Sequence, residues 1–351
     1  MHRILIFNLG GTSTKLAVFD EETLVVEGTI RHTDREIQGC TDNAEQIAFR
    51  RGAIEAWLLE NHISLDDLSA VVIRSSGAGL CKKGGTYLVT GKLRDGMYAA
   101  YRGSFPKAPH PSFIVLPLAD EILGSRPIPI YIVDPDGVDE FQDVAYITGH
   151  PDLPRSSGFH VLNHKAIARK ASRDLGKRYE DADLVVAHMG GGISIAAHRH
   201  GMVVDSTSGG SAGEGPFGTN RTGPLPLNKL VDRCFSGAYT KSEIMDLIMT
   251  QGGFLAHTGC TDLRIIEQKA ADGDAHCDLI IRAFIYQVCR YIGAQFTVLN
   301  CQADAIVLTG GIRDCVGKLA PVLVYPGEKE NEAMVDGVLS VLRGERSPII
   351  L

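Results

Sequence analysis

No apolar run in the sequence approaches the length needed to span a bilayer, and no charged-then-apolar leader opens it. The expectation is a cytoplasmic protein. Long blocks of one charge are also missing: 35 Lys and Arg stand against 42 Asp and Glu, for a net charge of −7. With no basic stripe and no interleaved aromatics, the composition argues against nucleic acid or a membrane surface as partner. An anionic small molecule remains compatible, because a few local cations can hold one. The eight cysteines (Cys40, Cys81, Cys234, Cys260, Cys277, Cys289, Cys301 and Cys315) include no C-x-x-C pair. They read as reduced thiols, not as a disulfide framework or a zinc site. The Walker pattern G-x-x-x-x-G-K-[ST] is absent. So is the dinucleotide fingerprint, because the first glycine turn is followed by a strand and not by a helix.

What is present begins at the N-terminus. Ile4–Asn8 is an apolar run that enters Gly10-Gly11-Thr12-Ser13-Thr14, and Leu16–Phe19 is a second run that leaves it. The spacing predicts two strands joined by a tight turn. Gly10 and Gly11 let the backbone bend and approach a ligand, and Asn8, Ser13 and Lys15 set donors around the bend. Such a turn can hold a phosphate; it can equally be a plain hairpin with a polar tip. A chain of 351 residues with 44% hydrophobic content is long enough for two domains, or one large one, with ample core.

Further along, strands are expected at 24–30, 70–73, 128–133, 305–308 and 321–325. Helices are expected at 43–61, 116–123, 241–251, 278–299 and 332–342, with another following His160. Arg74 ends one buried strand and Asp134 ends another, the position at which α/β proteins place ligand contacts. A shift of 180 residues lays the opening stretch over Leu184–His198: Asn8 falls on His188, and Gly10-Gly11 on Gly190-Gly191, followed by Gly192. Similarity at that distance predicts a duplicated domain and not a short-period solenoid. The expected division is 1–155 and 156–351, with the terminal helix packing back on the first half. Two glycine turns on either side of a cleft would suit a ligand with several phosphates. A third turn is Thr309-Gly310-Gly311-Ile312.

Taken in order, these motifs resemble the acetate and butyrate kinase family, and within it the butyrate kinases. The stretches that carry the resemblance are Asn8–Lys15, Gly84–Tyr87, Ile132–Pro135, Phe159-His160, Ala187–Ser194, Glu214–Phe217 with Arg221, Leu308–Ile312 and Val324–Glu328. The resemblance implies a duplicated actin-like ATPase (ribonuclease H-like) α/β fold of two domains with a nucleotide cleft between them. It implies transfer of the γ-phosphoryl group of ATP to a short-chain carboxylate, with Mg²⁺, giving ADP and an acyl phosphate. In that reading Arg74 and Arg221 orient the carboxylate and neutralise the transferring group, and His160 donates to phosphoryl oxygens. His110 is a weaker candidate of the same kind. Asp134 and a glutamate after Pro326 organise Mg²⁺, Glu330 being preferred to Glu328. Asn8, Gly10, Ser13 and Lys15 form one phosphate turn, and His188, Gly190, Gly191 and Gly192 the other. Gly310, Gly311 and Ile312 lie by the adenosine, and the family suggests a homodimer or higher homo-oligomer.

The sequence also departs from the family. Gly11 stands where acetate kinases carry a serine, and Phe113 where butyrate kinases carry an amide. His164 replaces a common glutamine. Only 313–320 separate Ile312 from the last strand, which shortens a segment on the adenine side. Ser76 and Ala212 leave more room than the residues acetate kinases use against the methyl group, which favours an acid longer than acetate. The alternatives left open are a nucleotide-binding relative without turnover, and an acetate or propionate kinase.

Overall fold

A computed structural model describes residues 1–40, 42–103, 111–208, 213–308, 320–327 and 329–351. The chain forms two compact units, Met1–Val138 with Lys329–Leu351, and Asp139–Glu328. Each is built on its own sheet.

The first sheet takes β1 (Arg3–Leu9), β2 (Ser13–Asp20), β3 (Thr23–Arg31), β4 (Ala70–Ile73), β5 (Thr86–Leu88) and β6 (Ile130–Val133) in the order β3-β2-β1-β4-β6-β5. β1 to β3 form an antiparallel meander, β4 and β6 add in parallel, and β5 closes the edge antiparallel. Residues Ile4 to Leu9 are all buried, as an uninterrupted apolar run in a central strand requires. Helices α1 (Asp34–Gly39), α2 (Asn43–Glu60), α3 (Gly91–Gly103) and α4 (Pro111–Leu123) belong to this unit. The α2 start is capped by Asp42, whose carboxylate accepts from the Glu45 N–H at 2.8 Å. The α4 start uses Pro111, whose missing N–H costs nothing in a first turn. The core joins Leu5, Phe7, Val18, Val71 and Ile73 of the sheet to Ile47 and Ile54 of α2 and Ile114 and Leu118 of α4.

In the second unit, helix α5 (Val161–Asp174) precedes the sheet strands β7 (Leu184–Met189), β8 (Ile193–Arg199) and β9 (Met202–Ser206). Helices α6 (Leu227–Cys234), α7 (Lys241–Met249), α8 (Gly253–Thr258), α9 (Leu263–Ala271) and α10 (Ala275–Val298) follow, then β10 (Ala305–Leu308) and β11 (Val322–Val324). The strand order β11-β10-β7-β8-β9 repeats the first sheet: an antiparallel meander of three with parallel strands added beside its first member. Asn8 lies opposite Lys15 across the first turn, and His188 opposite Ser194 across the second. The expected duplication is therefore present in the strand order and the glycines, while the second turn closes one residue tighter than the first. Phe254 packs edge to face on Phe217, and Phe284 lies tilted against both rings in this core.

The last described helix, α11 (Glu330–Leu342), belongs to the first unit. Gly337 lets it lie close on β6: a Cβ there would fall 2.5 Å from Val133 Cγ1. The units divide at Val138 and not near 155, because residues after Val138 are tied to the second sheet. The Gln142 N–H donates to Val204 O at 3.1 Å, and buried Glu140 pairs with Lys165 at 2.7 Å. The seven described cysteines are free thiols, and burial pushes Cys81 up to about 12. No described helix is long and apolar enough to cross a membrane.

Candidate functional site

The first cradle is the β1–β2 turn. The Gly10 N–H donates to Ser13 O at 2.8 Å, and a Cβ on Gly10 would fall 2.8 Å from Ser13 Oγ. The turn is therefore closed at a point where only glycine fits unhindered. Asn8, Gly10, Ser13, Lys15, Arg74 and Asp136 line a cavity of about 290 Å³ against it. Arg74 reaches this place because its N–H donates to Phe7 O at 3.0 Å, continuing the parallel β1–β4 ladder one residue past β4. Its Nη1 donates to both Glu330 carboxylate oxygens at 2.8 Å, and Asn8 Nδ2 donates to Glu330 Oε2 at 3.0 Å. Asp136 Oδ2 stands 3.8 Å from Arg74 Nε. Asn8, Ser13, Lys15, Arg74 and Glu330, expected from sequence, are thus one cluster, and Asp136 joins it unforeseen.

Asp134 is placed differently. It is 1% exposed and has a φ of +41°. Its Oδ1 accepts from the Gly85 N–H at 2.8 Å, while its own N–H donates to Gly85 O at 2.9 Å. It stands two residues from Asp136 but is not among the residues that line the cavity. No group of three or more His, Cys, Asp or Glu among the described residues is arranged to hold a metal alone. The donor set here suits Mg²⁺, which is usually held by one or two carboxylates plus substrate phosphates and waters.

The second cradle is the β7–β8 turn, where the Gly190 N–H donates to Gly192 O at 3.1 Å. A Cβ on Gly192 would fall 2.7 Å from Arg221 Nη1 and 2.8 Å from His160 Nε2. A guanidinium and an imidazole therefore converge on bare backbone. His160 sits at the N-cap of α5, and its ring is 4.4 Å from that of His188, centroid to centroid. Arg221 is held by its own loop: the Gly218 N–H donates to Arg221 O at 3.0 Å and the Phe254 N–H to Gly218 O at 3.0 Å. Gly253, with φ +60°, makes that approach possible; a Cβ would fall 2.0 Å from Gly218 O.

Behind His160 runs a buried polar chain. Ser194 Oγ is hydrogen-bonded to His160 Nδ1 and to His164 Nε2, each at 2.8 Å. His164 Nδ1 meets His198 Nε2 at 3.3 Å, and His198 Nδ1 meets Tyr179 Oη at 2.8 Å. Burial pushes both His164 and His198 well below the usual histidine range. Neighbouring His198 acts in the same direction on the first, and Lys165 and Arg169 on the second. Both rings are therefore neutral and each carries one N–H, so each can donate to one neighbour and accept from the other along the chain. With Nδ1 engaged by Ser194, His160 presents Nε2 to the Gly192 backbone.

Next to Gly190 and Gly191 opens a larger cavity of about 580 Å³, walled by Ile193, Phe254, Ile281 and Phe284, with Asp262 and Arg264 also lining it. Its size and apolar walls suit a small-molecule ligand such as a nucleoside. The sequence reading placed the adenosine by Gly310, Gly311 and Ile312, which lie outside the described residues, as do His110, Ala212 and Glu328. It missed Asp262 and Arg264. The signal was there: Asp262 caps α9, accepting from the Arg264 N–H at 3.0 Å, and Leu263, Ile266 and Ala270 have helical spacing.

The sequence model of the Acetokinase family matches residues 150–320. The chain is 41% identical to butyrate kinase 1 of Clostridium acetobutylicum, and the alignment covers 98% of each. It is 40% identical to a probable butyrate kinase of Clostridium botulinum, again over 98% of each. Among solved structures, an acetate kinase of Porphyromonas gingivalis matches with a TM-score of 0.77 at 18% identity, over 97% of this chain and 100% of that one. A propionate kinase of Francisella tularensis matches with a TM-score of 0.70 at 19% identity, over 95% and 98%.

Proposed function

Since the chain belongs to the acetokinase family, we propose that it transfers the γ-phosphoryl group of ATP reversibly to the carboxylate of a short-chain fatty acid, butyrate or a branched analogue, giving an acyl phosphate and ADP. The observation that carries this reading within the site is the convergence of Arg221 Nη1 and His160 Nε2 on the backbone of Gly192.

The chemistry explains the residue types. A carboxylic acid has a pKa of about 4 to 5, so the nucleophile is ionised at neutral pH and needs no strong base. The obstacle is the approach of one anion to another, with charge spread over the equatorial oxygens of the transferring group. Preorganised donors are therefore the main device, and losing one typically costs about 10²–10³ in rate. Arg221 meets the transferring group with its planar fork, and His160 donates through Nε2. Lys15 and Ser13 hold phosphate oxygens at the first turn. Arg74 orients the carboxylate while its other face stays on Glu330. Mg²⁺, when bound, would neutralise phosphate charge; Glu330 and Asp136 beside Arg74 would hold it, with Asp134, two residues from Asp136, as a further carboxylate acting through waters. The 580 Å³ cavity by Gly190 takes the adenosine.

Ser76 and Ala212 support an acid longer than acetate. Because a methylene is worth only about 1–3 kcal/mol in discrimination, short and branched acids are accepted together. The use of ATP as donor supports a cytoplasmic location. A homo-oligomer is supported by α6, where exposed Leu227, Val231 and Phe235 form one apolar stripe. The test of the activity is a hydroxamate assay with Mg-ATP and acetate, propionate, butyrate or isobutyrate. Acyl phosphate from the four-carbon acids supports the reading, and none from any acid with folded protein overturns it.

A further inference from the structure

The inward face of α2 carries Ile47, Ile54 and Leu58, and between them Arg50. At helical spacing that position calls for an apolar residue. Arg50 is instead 0% exposed. Its Nη1 donates to Ser13 O and Thr14 Oγ1, each at 2.9 Å, and its Nη2 to Gly10 O at 2.9 Å and Gly11 O at 2.8 Å. All four acceptors belong to the β1–β2 turn, and none is an acid. Nε is buried without a hydrogen-bond partner. Among the described residues no carboxylate forms an ion pair with Arg50. The titratable groups that face it are His32, bonded to Thr14 at 2.8 Å, and Cys40. Burial pulls the guanidinium down to about 10, so it keeps its charge at neutral pH.

Two consequences follow from elementary geometry. A trans peptide points its C=O and its N–H in opposite directions. By drawing the carbonyls of Gly10 and Gly11 inward, Arg50 turns the N–H groups of Gly11 and Thr12 away from the core, toward the exposed side of the turn. Outward-facing successive N–H groups make an anion-binding concavity. In addition, a buried charge without a counter-ion is costly, and an anion on the far side of one backbone layer would supply it.

We propose that Arg50 is a positioning residue for phosphate: it holds the Gly10–Thr14 turn from inside the core in its anion-binding form, and the phosphate oxygens of the bound nucleotide or acyl phosphate serve as its counter-charge. This rests on the reading that the first turn receives a phosphate. Arg50→Lys keeps the charge but loses the planar fork, and Arg50→Gln loses the charge. Calorimetric titration with ATP, on variants shown folded by circular dichroism, is expected to find affinity reduced about ten-fold for Arg50→Lys and further for Arg50→Gln. The KM for butyrate is expected to stay within about three-fold. A merely structural arginine would lower the melting temperature and leave the ATP affinity of the folded protein unchanged; that result overturns the proposal. Should both variants fail to fold, wild-type protein labelled with ¹⁵N-arginine decides. The hindered Nη–H signals of a four-fold bonded guanidinium are expected to shift as ATP is added, and no shift in any of them overturns the proposal. ATP binding is read separately from acyl phosphate formation, so a wild type that binds ATP without turnover removes the activity and leaves Arg50 testable.

Discussion

Gly192→Ala is the sharpest perturbation the second cradle allows. The added Cβ would lie 2.7 Å from Arg221 Nη1 and 2.8 Å from His160 Nε2, whereas ordinary van der Waals contact begins at 3.4 Å. The two donors must therefore withdraw by about 0.7 and 0.6 Å if the backbone stays. Arg221 can swing, but His160 is tethered through Nδ1 to Ser194 Oγ at 2.8 Å, so its ring must break that bond or tilt. Misplacement of reacting groups on the order of 1 Å can cost about 10²-fold in rate. The expected result is a kcat about 10²-fold lower by the hydroxamate assay with saturating Mg-ATP and butyrate, with a melting temperature close to wild type. Gly293→Ala, within α10 and away from both turns, is the control: a Cβ there meets nothing within 4 Å, and activity within about three-fold of wild type is expected. A folded Gly192→Ala enzyme with the activity of Gly293→Ala would refute the idea that Arg221 and His160 act together at this backbone.

The same geometry makes three further predictions. His164 and His198 are depressed by burial, so unfolded chains take up protons below pH 6.5 while the native protein does not. Stability is thus intact above pH 6.5 and falls as pH drops toward the native values, by up to about 1.4 kcal/mol per pH unit for each histidine. Urea midpoints between pH 7.5 and 5.5 check this, and His164→Gln is expected to flatten the profile. Glu330→Gln keeps the size of the side chain but removes its charge and one of the two oxygens that accept from Asn8 and Arg74. A fall in activity of about 10–100-fold with a raised Mg²⁺ requirement is expected, and an unchanged requirement would reduce Glu330 to an anchor for Arg74. Phe235→Glu, on the exposed α6 stripe, is expected to lower the mass measured by light scattering to that of one chain if the protein assembles through that face; an unchanged mass removes α6 from the interface.

The parts of the fold that were legible in the sequence are those written as periodicity. The two glycine turns, the α2 stripe and the long α10 helix follow from apolar spacing, and the strand order of the two sheets repeats the 180-residue echo. Arg50 was not legible, because an arginine within an apolar stripe reads as a residue on the helix flank, and only the packing of α2 under the turn reveals its task. Asp134 and Asp136 flank one proline, and spacing alone does not say which carboxylate turns toward the cavity; backbone pairing with Gly85 decides it. Short helices such as α6, with eight residues, have too few turns for their spacing to stand out. The boundary near 155 was misjudged because residues 139–155 carry no strand of their own and attach through Glu140 and Gln142.

The most direct test of the central claim is ³¹P nuclear magnetic resonance of the purified protein with Mg-ATP and butyrate, compared with Arg221→Ala under the same conditions. A butyryl phosphate resonance growing as the γ-phosphate signal falls, and slowed about 10²–10³-fold in the variant, is the predicted result. No acyl phosphate with any short-chain acid, or an Arg221→Ala variant as fast as wild type, would contradict it.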